Sequence, residues 1–91
     1  MRIVRFYAKW YKKCKLFENK ELLGYDQDID IDIPSYHKSV VKYQVSIIPT
    51  FIAFNNRNKV IGKLSNPIDV DEYFEWKERI SKKWIFTEMK T

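Results

Sequence analysis

Apolar and polar positions along the chain alternate with two periods, and the periods divide it into seven elements. The run Ile3 to Ala8, broken only at Arg5, reads as a short buried strand over residues 2–8. Residues 12–23 form a basic helix whose apolar face, carried by Leu16, Phe17, Leu22 and Leu23, is imperfect. Gly24 ends it, because glycine tolerates positive φ. Asp28-Ile29-Asp30-Ile31-Asp32-Ile33 alternates strictly, the pattern of a strand with one wet face. Pro34 and a Ser35 N-cap open a second helix over 35–43. A strand over 50–54, the polar turn Asn55-Asn56-Arg57-Asn58 and a strand over 59–64 make a hairpin. Asp69 and Glu72 have capping-box spacing and start a helix over about 69–83. Its stripe Val70, Tyr73, Phe74, Ile80, Trp84 reads as core. The order is β-α-β-α-β-β-α, an α/β domain. Two right-handed crossovers and a hairpin give a four-stranded mixed sheet.

Composition narrows the function classes. At 91 residues the chain is one domain, 1–91, and 45% hydrophobic content excludes a disordered segment. No apolar run approaches the ~20 residues of a membrane span. Met1-Arg2 leads straight into the first strand, so no signal peptide is expected. One cysteine excludes an internal disulfide and an all-cysteine metal site, and a single histidine, His37, adds no zinc set. No metal and no cofactor is implied, and the expected compartment is a reducing, cytoplasmic one. The net charge of +5 raises the question of nucleic acid, but the basic residues are dispersed, and Lys77 to Lys83 alternates with acids as a solvated helix face. Nucleic acid is therefore a disfavoured partner. Carboxylates at 28, 30 and 32 share a strand face but are spread along it and lack the turn glycine of a calcium loop. On an edge strand they discourage pairing with other chains.

Chemistry concentrates in Phe6-Tyr7-Ala8-Lys9-Trp10-Tyr11-Lys12-Lys13-Cys14-Lys15, where a strand stops and delivers Cys14 to the first turn of a helix. Free N–H groups there, with Lys12, Lys13 and Lys15 nearby, would stabilise a thiolate. The segment resembles the active-site run of thioredoxins, aromatic-aromatic-Ala-x-Trp-Cys-Gly-Pro-Cys-Lys. Lys42-Tyr43-Gln44-Val45-Ser46-Ile47-Ile48-Pro49-Thr50-Phe51 is similar to the same family's run ending in Ile-Pro-Thr, whose proline is cis. The resemblance implies a thioredoxin-like fold in a minimal, glutaredoxin-type order, without the family's first strand and helix.

The departures from the family lie where its chemistry lies. Tyr11 stands in place of the nucleophilic cysteine, and Lys12-Lys13 in place of Gly-Pro. Disulfide reduction needs an attacking and a resolving sulfur, and only the resolving position, Cys14, is kept. Arg5 stands where the family has a buried aspartate. The neighbouring strand offers Asp28 or Asp30 where the family has a lysine, so the resemblance implies an exchanged charge pair from Arg5 to Asp28 or Asp30. Two readings follow. In one, the chain is a non-catalytic module that holds a protein or extended peptide in a groove formed by Trp10, Tyr11, Ile48 and Pro49. In the other, it is a monothiol protein whose Cys14 forms mixed disulfides with glutathione or a partner thiol. Cys14 as a small buried hydrophobe is the plainer alternative to reactivity.

Overall fold

The computed structural model describes residues 1–89, with side chains described through residue 85. Four strands form one sheet: β1 (Arg2–Tyr7), β2 (Gln27–Asp30), β3 (Thr50–Phe54) and β4 (Val60–Ser65). Their spatial order is β2-β1-β3-β4, with β1 and β2 parallel and the other two pairings antiparallel. Among the described residues three α-helices accompany the sheet: α1 (Lys20–Leu23), α2 (His37–Lys42) and α3 (Val70–Met89). The acidic strand β2 is indeed at the edge.

Strand alternation divides the core into two layers. Ile3, Phe51 and Ala53 pack on one face with Phe17, Leu23, Tyr25, Tyr73 and Trp76. Val4, Phe6, Ile52 and Phe54 point to the other face, where Ile29, Tyr36, Val40 and Tyr43 join them. β3 is buried along its whole length because both layers cover it. Phe51 has aromatic partners on every side, with Tyr73 at 4.5 Å and Phe17 and Tyr25 at 5.7 Å between ring centroids. Burying each such ring contributes about 1.5–3 kcal/mol.

The helices differ from the expected ones in instructive ways. Residues 12–23 are two pieces, a 3-10 segment (Lys12–Phe17) followed by α1. The inward anchors Cys14 and Phe17 are three apart, which suits three residues per turn. Asn19 then breaks the run by accepting a bond from the Leu22 N–H at 3.0 Å, recapping the chain as α1. Gly24 closes α1 at φ 71°, and the Leu23 carbonyl beside it accepts from Tyr73 Oη and Lys77 Nζ.

Residues 34–36 form a 3-10 turn begun by Pro34, α2 starts at His37, and no side chain caps either, so Ser35 is not the N-cap. β2 ends at Asp30 rather than continuing to Ile33, because the Asp30 carboxylate accepts the Asp32 N–H at 3.0 Å and turns the chain. The pair Asp69 and Glu72 does cap α3. Asp69 accepts from the Glu72 N–H at 2.9 Å, and Glu72 accepts from the Ile68 N–H at 2.7 Å. α3 runs further than residue 83. It buries Tyr73 and Trp76, whereas Phe74 is exposed. Gly62 of β4 leaves the space that Ile80 occupies, so α3 lies close on the sheet.

Candidate functional site

The segment after β1 turns sharply. Tyr11 N–H bonds to Ala8 O at 3.3 Å, and Cys14 N–H bonds to Tyr11 O at 3.0 Å. The turn projects Trp10, 67% exposed, and Tyr11, 37% exposed, with ring centroids 5.8 Å apart. The Trp10 indole N–H donates to Asp32 Oδ2 at 2.7 Å, which fixes the ring against the loop after β2. Lys13 Nζ donates to Asn66 Oδ1, and the Asn66 N–H donates to Pro49 O at 2.8 Å. Asn66 thus ties the turn to the Ile48–Pro49 segment, whose peptide bond is cis.

Cys14 is a free thiol, 3% exposed, packed against Ala8 and Ile48 with Tyr7, Ile31 and Val45 around them. Burial pushes the thiol above its ordinary value. A backbone hydrogen bond with Ala8 and the charge of Arg5 oppose that shift without cancelling it. The thiolate expected at a helix N-terminus is therefore not favoured. The segment is a six-residue 3-10 turn, Lys12 and Lys15 point into water, and desolvation outweighs them.

Ile48 and Pro49 depart from an open apolar groove. Ile48 is 8% exposed and the Pro49 side chain is fully buried. Among the described residues, no hydrogen bond engages the Ile48 backbone. The exposed apolar side chain of that segment is Ile47, at 43%. The four residues Trp10, Tyr11, Ile48 and Pro49 are thus a pair of exposed rings and a pair of buried supports.

Beneath the turn, Arg5 is 3% exposed. Its Nε donates to Asp28 Oδ1 at 2.6 Å, and Nη1 donates to Cys14 O at 2.9 Å. Its guanidinium lies 4.3 Å from the Tyr7 ring centre and 5.4 Å from that of Tyr25. The parallel register pairs Arg5 with Asp28 and Tyr7 with Asp30, so Asp28 is the partner. Asp30 lies outside the pair and serves the turn at Asp32. Each of the three acidic residues therefore has its own role: an ion pair, a turn and an indole acceptor. Sequence reasoning missed Asp32, Asn66 and Tyr25. The only signal for them was polarity in loops and a lone aromatic before β2.

No protein-family model matches the sequence, and no curated protein matches it. Solved structures do. Thioredoxin O1 from Arabidopsis thaliana, in its oxidized state, superposes with a TM-score of 0.67 at 19% identity, covering 86% of this chain and 75% of that one. Plasmodium falciparum thioredoxin gives a TM-score of 0.61 at 26% identity, over 80% of this chain and 67% of the other. Malassezia sympodialis thioredoxin gives 0.62 at 21% identity, over 88% and 71%. With four mixed strands in the order β2-β1-β3-β4 and helices on both faces, this chain has the thioredoxin-like fold.

Proposed function

We propose that this protein is a non-catalytic, thioredoxin-like binding module for an extended protein segment. The observation that carries the reading is the state of the one thiol, Cys14, 3% exposed and held protonated by burial. Two exposed rings, Trp10 and Tyr11, stand where a reactive sulfur would be presented. Rigid aromatic side chains give large contact area at low entropic cost, and the unengaged Ile48 backbone offers main-chain hydrogen bonds to a partner strand.

A thiol titration of the native protein tests this. Less than one equivalent should react at neutral pH, with full reaction on denaturation. Rapid native reaction would favour the second reading, a monothiol protein forming mixed disulfides, which draws on the fact that Cys14 lines a cavity. Binding itself is read by titrating extended peptides against Trp10 fluorescence, with Trp10→Phe as the subtraction control. Tyr11→Ala should weaken any peptide found by about tenfold or more, as expected for a central aromatic contact. Tyr11→Cys supplies a second sulfur at the correct spacing, yet insulin reduction should stay at background because Lys12-Lys13 and Arg5 are unchanged.

A further inference from the structure

A cavity of about 250 Å³ opens beside Cys14, away from Trp10 and Tyr11 in the lining it draws on. Arg5, Tyr7, Ala8 and Lys9, at and just after the end of β1, and Cys14, Lys15 and Glu18, from the segment after the turn, line it. It is large enough for several waters or one small polyatomic ion. Three features give it a sign. Arg5 is buried at its base, with Nε held by Asp28 and Nη1 by the Cys14 carbonyl. The third nitrogen, Nη2, has no partner among the described residues and is not among the buried polar atoms cut off from solvent. Lys9 and Lys15 line the same space as exposed cations whose side chains make no hydrogen bond or ion pair among the described residues. Asp28 neutralises Arg5, so two lysines against the single carboxylate of Glu18 leave the opening net positive.

We propose that this cavity binds a small oxyanion of phosphate size and charge, held by Arg5 Nη2 at its base and by Lys9 and Lys15 at its mouth. Nη2 keeps two N–H donors, and the positive charge of the guanidinium strengthens a hydrogen bond from either of them to an anion's oxygens. Because Arg5 is already fixed by Asp28 and Cys14 O, little side-chain freedom is lost on binding. Partial burial keeps solvent from screening the interaction as it would at an open surface. Glu18 opposes the anion and sets how tightly it is held. The proposal is independent of the peptide-binding reading, since it uses neither Trp10 nor Tyr11.

The test is a titration of isotopically labelled protein with inorganic phosphate, against sodium chloride at equal ionic strength. Phosphate should shift the Arg5 side-chain signals and the Lys15 amide to a saturating limit, whereas chloride should not. Lys9→Gln and Lys15→Gln should each weaken binding by about two- to fivefold, as for one exposed ion pair, and Glu18→Gln should tighten it by a similar factor. These three side chains are on the surface, so the fold is retained and checked by the unchanged core signals. Non-saturating shifts that follow ionic strength overturn the proposal. So does binding that the lysine and glutamate variants leave unchanged.

Discussion

The two sides of the turn after β1 are built on opposite principles. Above it, Trp10 and Tyr11 face solvent, and one hydrogen bond to Asp32 orients the indole. Below it, Arg5 and Cys14 are both 3% exposed, and each group is defined by what surrounds it. A charge can stay below only because Asp28 and a carbonyl satisfy it. A sulfur can stay there only as a protonated thiol. The difference teaches that one turn can present exposed rings on one side while the charge and the thiol on its other side are satisfied within the fold. Asp28, about a third exposed, is where the interior meets water.

The contrast breaks first at Arg5. Arg5→Ala removes the guanidinium from between Tyr7 and Tyr25 and leaves Asp28 without its partner. Because that carboxylate can still hydrate, the loss should be about 2–3 kcal/mol, below that of a fully buried pair. Urea unfolding measures it, and Arg5→Met should recover part by keeping the side-chain packing. A loss under about 1 kcal/mol would place Arg5 with ordinary surface pairs.

The next effect is at alkaline pH. In the folded chain burial keeps the Cys14 thiol protonated above its ordinary value of 9.0, whereas the unfolded chain ionises there. The unfolded state then binds fewer protons, so stability is full below that value and falls as pH rises through it toward the raised folded value. The slope is at most about 1.4 kcal/mol per pH unit for one group. Tyr25 and Tyr73 act in the same sense above their ordinary value of 10.0, since burial raises both. Cys14→Ala should flatten the first part of this decline in unfolding curves at pH 8, 9 and 10. A decline identical in wild type and variant would show that the thiol ionises in the folded state too.

The smallest effect is above the turn. Asp32→Ala frees the Trp10 indole N–H, and because that ring is 67% exposed the cost should be below about 1 kcal/mol. Its emission should shift toward that of a fully solvated tryptophan. A loss comparable with that of Arg5→Ala would erase the distinction between the two sides.

The order of elements was legible because strand alternation and the apolar run of β1 are strong local signals. β3 occupies residues 50–54, and the Asp69–Glu72 cap opens α3. The helix between β1 and β2 was not legible as two pieces. A 3-10 segment with anchors three apart and an α-helix with a ragged apolar face read alike until the Asn19 side chain divides them. Trp76 in place of Phe74 in the core reflects which stripe of α3 faces the sheet. Neighbouring aromatics in one helix cannot settle that by themselves.

The sequence by itself determined that the chain has one cysteine, that Tyr11 stands three residues before it, and that a cation lies within the first strand. Those facts concern residue identity, and no folding could alter them. Only the tertiary structure decided which acid meets Arg5. A parallel register placed Asp28 opposite it, and a shift of one step would change the partner. It also decided that Cys14 is a buried thiol and not an exposed thiolate. That outcome depends on the balance of desolvation against nearby charge, and the balance exists only once Ala8, Ile48 and Arg5 have closed around the sulfur.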